Sequence, residues 1–400
     1  MTKLLPMRPR EAPHIILASA SSGSGHSQAA RNLAAVFRRI DPTSTVELVN
    51  IYDFMSPLYR RIVEGGWEKA SLTPGLRGIY RILHLLVSHN AMLSRILHRG
   101  FRSVARRMEA QIKLAQLHHF IALHPAAVPV GAHVKGETGC QLSVIATDFV
   151  LHNIHYHDLV DTYFVAPQSK FVGSLSHLAN LQGRVTSSGI PIADSFRTLD
   201  KFQRNRDAIH ESFQILVSFG ACAYRASKNL PLILKLIQRT DRHVRFIVLA
   251  GHDHGFLEGA TRAIRSIDAS GRVKVLGYVE DTSELMGNSH LLIGKAGGLT
   301  VSEAFAAGLP TIVVDTLPGQ EEYNARSVVD HGAGISTRDL TRIVQFIQEN
   351  QQAEHWASLS RRILDLGRPA SSQTIAGILI PPQRFPLATV TKAKKATGGL

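Results

Sequence analysis

The chain has 400 residues, 44% of them hydrophobic, and a formal net charge of +14. At roughly 100–200 residues per domain, that length predicts two or three domains, with ample apolar material for buried cores. Its two cysteines, Cys140 and Cys222, lie far apart without CxxC or His-Cys spacing, which excludes a disulfide framework and a zinc site and makes them small core residues of a reducing compartment. No apolar run reaches the ~18 residues a spanning helix needs, and the N-terminal MTKLLPMRPREAP lacks the apolar segment of a signal peptide. A cytoplasmic protein is expected. The charge is local: between Pro57 and Lys113 eleven Lys/Arg stand against three Asp/Glu, and most of the remaining excess lies in the first thirteen residues and in the tail 384–400. Such patches favour an anionic partner, either a membrane surface or nucleic acid.

In chain order, HIILASA (14–20) reads as a strand and SQAARNLAAVFRRI (27–40) as the helix after it, with SSGSGH in the gap. TVELVNIYD (45–53) is the next strand. A long basic region runs to about Gln116, and HHFIALHP (118–125), LSVIATD (142–148), DTYFVAP (161–167) and RVTSSGIPI (184–192) follow as strands. After a polar stretch near 193–212 the pattern restarts. Strands are expected at 214–221, 245–251, 272–279, 289–298 and 310–316, with helices around 228–239, 256–266 and 299–308. Short β-rich runs alternating with helical windows imply parallel sheets with crossover helices. Two such series predict two Rossmann-like domains, with ligands at the carboxyl ends of the strands in the cleft between them.

The stretch GKAGGLTVSEAFAAGLPTIVVDTLPGQEEYNA (294–325) carries the sharpest chemistry. Gly297 and Gly298 end a strand and open a helix, where a bare main chain lets a diphosphate approach and free N–H groups meet its charge. Glu303, one turn into that helix, suits a ribose diol. Gln320 and Glu321 after the next strand offer amide and carboxylate groups suited to sugar hydroxyls.

This block resembles the donor-binding signature of family 28 glycosyltransferases, above all the glycolipid branch of monogalactosyldiacylglycerol synthases and processive diacylglycerol glucosyltransferases, whose pattern is roughly GGLTVSEALAxGLP…PGQEExNA. A more distant likeness is to the N-acetylglucosaminyltransferase that makes lipid II. SxGxGHxxAA and the segment 144–166 resemble the same branch's N-terminal half, so the likeness spans about residues 14–335. It implies an α/β fold of two Rossmann-like domains facing a cleft (GT-B type): an acceptor- and membrane-facing domain over 1–200, a nucleotide-sugar-binding domain over 201–383, and a disordered basic tail over 384–400. By motif, Gly297, Gly298, Leu299 and Thr300 flank the diphosphate, Glu303 binds ribose, Gln320 and Glu321 read sugar or ribose hydroxyls, and Asn324 supports the turn or the sugar. The glycine-rich loop that the family carries after the first strand of the second domain reads VSFGACAY (217–224) here. Only Gly220 survives, beside Ala221 and Cys222.

Glycosyl transfer needs a base for the acceptor hydroxyl, and an imidazole with a pKa near 6.5 can serve at neutral pH. His26, expected exposed on the loop of Gly23, Ser24 and Gly25 that makes room for the acceptor, takes that role. Helix capping or phosphate binding by its N–H is the alternative. Asp148 in TDF is the rival base, the orienter of His26, or a cap of its own loop. No DxD motif is present, so helix N–H groups at Gly298–Thr300, with Lys295 nearby, are expected to meet the leaving charge without a metal. His152, His155 and His157 are read as loop histidines, since the family has no metal site there. No cofactor is expected, the UDP-sugar being a co-substrate. The basic segment 57–113 interleaves Arg with Trp67, Tyr80 and Phe101, which favours an anionic membrane surface; no nucleic-acid-binding motif accompanies it. The expectation is an inverting, UDP-sugar-dependent transferase acting on a membrane lipid such as diacylglycerol, peripheral to the inner face of the cell membrane. A UDP-N-acetylglucosamine 2-epimerase-like isomerase and a non-catalytic nucleotide-sugar-binding protein are the alternatives.

Overall fold

The computed structural model describes residues 12–20, 24–61, 78, 82, 86, 90–112, 114, 116–174, 181–199, 209, 211–220 and 223–380. The apolar runs of the first half form β1 (His14–Ser19), β2 (Thr45–Asn50), β3 (Leu117–Ala122), β4 (Gln141–Ile145), β6 (Thr162–Val165) and β8 (Val185–Ser187), one parallel sheet ordered β2-β1-β3-β4-β6-β8. β5 (Val150–His152) and β7 (Lys170–Val172) make a small parallel pair of their own. Helices α1 (Ser24–Ile40), α2 (Ala91–Gly100), α3 (Arg102–Gln111) and α4 (Ala127–Thr138) accompany this sheet. In α4, Gly131 lies so close to the sheet that an added Cβ would stand 2.5 Å from the Phe120 ring.

The second half repeats the plan. β9 (Phe213–Ser218), β10 (Val244–Leu249), β11 (Val273–Leu276), β12 (Leu291–Lys295), β13 (Thr311–Asp315) and β14 (Gly334–Ser336) form a parallel sheet ordered β11-β10-β9-β12-β13-β14. Around it stand α5 (Ala223–Arg239), α6 (His254–Ser266), α7 (Ser283–Gly287), α8 (Gly298–Ala306), α9 (Gln320–Asp330), α10 (Leu340–Asn350) and α11 (Ala353–Leu366), and a last helix, α12 (Ser371–Leu379), follows. All-parallel sheets covered by helices explain why the strands read as continuous apolar runs.

The two units share a core. Phe149, Ala166 and Ile190 of the first pack with Val301, Phe305 and Val313 of the second, and the Phe149 and Phe305 rings sit 5.7 Å apart. Two expectations need correction. The second unit does not run to residue 383 as a packing body: Ile375, Ala376 and Leu379 of α12 are buried with Ile15, Leu33 and Phe37 of the first unit, and Ser371 and Ser372 hydroxyls donate to the Ile190 and Ile192 carbonyls. The first helix begins at Ser24 rather than Ser27, which lifts His26 off the loop and into the first helical turn. The tail 384–400, Gly23, Ala221 and Cys222 lie outside the described residues, as do Trp67, Tyr80 and most of the basic segment between 62 and 89. Cys140 is buried, as expected of a core residue.

Candidate active site

In each sheet the strand order reverses beside the first strand, between β1 and β3 and between β9 and β12. Those switch points open crevices at the strands' carboxyl ends, where α/β proteins bind ligands. His26 follows β1 and Leu123 follows β3, so both stand at the first crevice. Gly220 follows β9 and Lys295 ends β12, at the second. α1 and α8 pack together, which brings the two crevices onto one cleft.

His26 is half-buried, and its Nδ1 lies 2.8 Å from the Leu123 carbonyl oxygen and 2.6 Å from Thr147 Oγ1. A carbonyl only accepts, so the proton is assigned to Nδ1 and the Nε2 lone pair is left as the basic site. The His124 ring meets His26 edge-on at 4.8 Å, and Tyr52 closes on His124 at 6.0 Å. Burial lowers the His26 pKa below the ordinary histidine value, assisted by the Lys295 charge and opposed by Asp148 and the Leu123 carbonyl. Burial drives His124 well below the ordinary value too, with His26 and His155 adding to the effect. Both imidazoles are therefore neutral near pH 7. The orienting contacts expected of Asp148 come instead from Leu123 and Thr147. Asp148 Oδ1 accepts from Asn324 Nδ2 at 2.7 Å.

Asn324 spends its amide on joining the two halves. Nδ2 also donates to the Ala296 carbonyl (2.9 Å), and Oδ1 accepts from the Phe149 N–H (2.8 Å). Gly298, the first residue of α8, touches the same strip: a side chain there would collide with the Thr147 carbonyl oxygen and come within 2.9 Å of Asp148 Cα. Leu299 is half-buried where three apolar clusters meet. Thr300 is half-buried in the first turn of α8, whose leading N–H groups have no partner within the helix.

The Lys295 side chain lies between two glycine turns. A Cβ at Gly220 would meet Lys295 Cε at 3.1 Å and one at Gly297 would meet Nζ at 3.0 Å. Gly220 has φ +66°, a left-handed conformation that glycine adopts without strain. Lys295 Nζ donates to Glu321 Oε1 (2.7 Å). Glu321 is buried and also takes Arg225 Nη1 (2.8 Å) and the Leu317 N–H (2.7 Å) on Oε2, while Arg225 Nε binds Asp315 Oδ2 at 2.8 Å. Burial alone would raise the Glu321 pKa, but Lys295 and Arg225 more than offset it and hold the carboxyl below its usual range. Burial likewise opposes the Arg225 charge, which Glu321 and Asp315 sustain. Glu321, expected to read sugar or ribose hydroxyls, thus has both oxygens in this network. The half-buried Gln320 side chain has no partner among the described residues.

Glu303 is the opposite case. It is buried, no hydrogen bond among the described residues reaches its carboxyl, and burial, reinforced by the Asp281 charge, pushes its pKa up to about 8. A buried carboxyl without donors favours a ligand that brings them. Gly25 borders open space and Ser24 is exposed at the cleft edge. Of the three expected loop histidines, His152 and His155 stack 5.9 Å apart, and His157 stacks on His98 at 6.0 Å. Among the described residues no cluster of three or more His, Cys, Asp or Glu has metal-binding geometry. Arg225, Asp315, Leu123 and Thr147 were not singled out in the sequence. Arg225 and Thr147 could have been, as polar residues beside the VSFGACAY and TDF turns; Leu123 acts through its main chain, which carries no residue-type signal.

Two parallel α/β units with paired switch-point crevices define a protein of the GT-B class, and the fold comparisons agree. MurG of Acinetobacter baumannii superposes with a TM-score of 0.58 at 14% identity, over 92% of this chain and 99% of that one. A protein described as a UDP-N-acetylglucosamine 2-epimerase of Listeria monocytogenes gives 0.55 at 9% identity, over 92% of this chain and 96% of that one, so the fold alone does not separate transfer from epimerisation. The sequence does. Residues 26–192 match the monogalactosyldiacylglycerol (MGDG) synthase model, and residues 232–359 match the glycosyltransferase family 28 C-terminal domain. The processive diacylglycerol beta-glucosyltransferase of Bacillus licheniformis is 28% identical over 344 residues, covering 84% of this chain and 85% of that one. Its first half is similar to the monogalactosyldiacylglycerol synthases and its second half to the family 28 glycosyltransferases.

Proposed function

We propose that the protein is an inverting glycosyltransferase that moves a hexose from a UDP-sugar to the hydroxyl of a membrane lipid such as diacylglycerol. The observation that carries this reading is the pairing across one cleft of a neutral, tautomer-fixed His26 with the glycine turns, Lys295 and donor-starved Glu303 of the second unit. In the proposed reaction Glu303 takes the ribose hydroxyls, Gln320 the sugar, and the diphosphate lies against Gly297, Gly298 and Thr300 with Gly220 opposite. His26 Nε2 receives the acceptor proton as the lipid oxygen bonds to the anomeric carbon. The bond from that carbon to the β-phosphate oxygen breaks on the opposite face, so an α-linked donor yields a β-glycoside. The electron pair leaves on UDP, where the α8 N–H groups and Lys295 meet the added charge. Asp148 and Asn324 hold the halves together.

The acceptor is proposed to arrive from an anionic membrane surface. α2 exposes Met92 (71%) and Ile96 (50%) beside Arg95 and Arg99, and Arg102 and Arg106 continue the basic face on α3. Apolar side chains among arginines suit binding in the plane of a charged interface. Among the described residues no helix is long and apolar enough to cross a membrane.

The test is incubation of the pure protein with labelled UDP-glucose, UDP-galactose or UDP-N-acetylglucosamine and diacylglycerol vesicles, with and without anionic lipid. A labelled β-glycolipid, formed faster on anionic vesicles, is the expected result. Epimerised sugar without lipid product, or UDP binding without turnover, would establish one of the alternatives instead.

A further inference from the structure

Beside α9, outside the cleft, lies a second cavity, of about 280 Å³, lined by Gln168, Lys170, Tyr323, Arg326, Ser327, Asp330 and His331. That is far more than the roughly 15 Å³ a single water needs. It sits on the seam: Gln168 lies in the β6–β7 turn of the first unit and Lys170 begins β7, and the other residues belong to α9 and the residue after it. Positions 323, 326, 327 and 330 follow helical spacing and so share one face of α9, opposite Glu321, with Gln320 at its edge and Asn324 about a third of a turn away.

The wall is rich in donors. Neither Lys170 nor Arg326 has an ion-pair partner among the described residues, and the Arg326 guanidinium lies 5.5 Å from the centre of the Tyr323 ring. His331 Nδ1 faces the Ser327 carbonyl oxygen at 2.9 Å and so carries the proton. Ser327 is 97% buried, yet its hydroxyl has no hydrogen-bond partner among the described residues. Asp330 is the one acid in the lining, against two permanent cations. Gln168 Nε2 already ties the turn to the Leu366 carbonyl of α11 at 3.0 Å.

We infer that this cavity binds a phosphate-bearing anion, orthophosphate or a phosphodiester lipid headgroup, and that the anion clamps the β6–β7 turn to α9. Lysine and arginine from opposite units, with the Ser327 and Tyr323 hydroxyls, offer more donors than a planar carboxylate can use, and they suit a tetrahedral anion with three or four acceptor oxygens. The same helix carries Gln320 and Asn324, so an anion bound here holds that helix against the first unit. The inference stands apart from the proposed transfer, since its readout is binding.

The probe is inorganic phosphate, titrated calorimetrically at constant ionic strength, with UDP present so that the diphosphate turns are occupied. Lys170 and Arg326 are exposed, so K170A/R326A is expected to fold, with circular dichroism as the check, and K170Q/R326Q serves if it does not. Wild type is expected to bind phosphate at least tenfold more tightly than the double variant. Flotation on phosphatidylglycerol/phosphatidylcholine vesicles against phosphatidylcholine alone then identifies the source. A variant defect confined to the anionic vesicles assigns the headgroup. A defect with inorganic phosphate and none on vesicles assigns the free ion. Equal behaviour of wild type and variant with both probes overturns the inference.

Discussion

Replacing Glu303 with Gln tests the donor side of the cleft through its pH dependence. The carboxyl rises from 4.5 to about 8 in the folded protein, so the native state holds a proton that the unfolded chain releases. A raised acid contributes stability that is complete below its unfolded pKa and lost as pH rises through the folded one. At ~1.4 kcal/mol per pH unit, the wild type is expected to lose about 2–3 kcal/mol from this group between pH 6 and pH 9, and Gln at 303 loses none of it. For a unit of this size, that is on the order of 5 °C in melting temperature. UDP adds the second half of the test. Ribose hydroxyls that donate to the carboxylate favour its charged form, so UDP affinity in wild type should tighten about fivefold between pH 7 and pH 8, as the ionised fraction grows from roughly a tenth to a half. The window lies above the lowered pKa of His26, which is already neutral there. Calorimetry on both proteins across pH 6–9 reads the effect. A melting-temperature difference that does not change with pH, or a UDP affinity equally flat in both proteins, would refute the role of Glu303.

Other substitutions separate chemistry from support. His26→Ala is expected to lower transfer by about 10²–10⁴-fold while leaving UDP affinity within about twofold, since the ring is assigned to the acceptor proton; rates on diacylglycerol vesicles check it. Arg225→Met removes the guanidinium that Asp315 and Glu321 share and leaves Glu321 with Lys295 alone, at a cost of about 3–5 kcal/mol in urea unfolding, and Glu321→Gln should cost less because Arg225 keeps Asp315 and the amide oxygen still accepts from Lys295. Gly298→Ala puts a methyl into the Thr147 carbonyl, so the two units must separate; a fall in kcat/KM with UDP affinity largely retained is the expected split.

Much of this arrangement is legible in the residues alone, and the legible part is local. Gly297, Gly298 and Glu303 stand where a strand ends and a helix begins, so the apolar run and the glycine pair together place them at the second crevice. Gln320 is placed by the same logic after PTIVVDT. The failures are pairings between distant positions. Nothing near Arg225 encodes that its guanidinium reaches Asp315 and Glu321, ninety and more residues later. The return of α12 to the first unit is equally invisible, because its apolar stripe would pack as well against either sheet. His26 illustrates the middle case. Its position was foreseeable, but the first helical turn replaced the expected loop, and its tautomer is set by a main-chain oxygen at Leu123.

The signature block does more than shape a donor pocket. Asn324 gives both amide hydrogens and an acceptor lone pair to Asp148, Ala296 and Phe149, which leaves it no donor for a sugar. Gly298 is bare where α8 meets Thr147, the residue that also contacts His26. The start of α8 therefore touches the strip that orients the proposed base. Burial is the main reason the His26 pKa is lowered, and the charge of Lys295, the cation proposed to receive the leaving diphosphate, adds a smaller part. In the proposed reaction, negative charge developing on UDP offsets the Lys295 charge, and its small effect on His26 weakens. The imidazole then accepts the acceptor proton more readily in the same step in which the diphosphate departs. Glu321 and Arg225 sustain this coupling by holding Lys295 between the two glycine turns, which gives a physical reason for a carboxylate in PGQEE to face inward rather than toward the sugar.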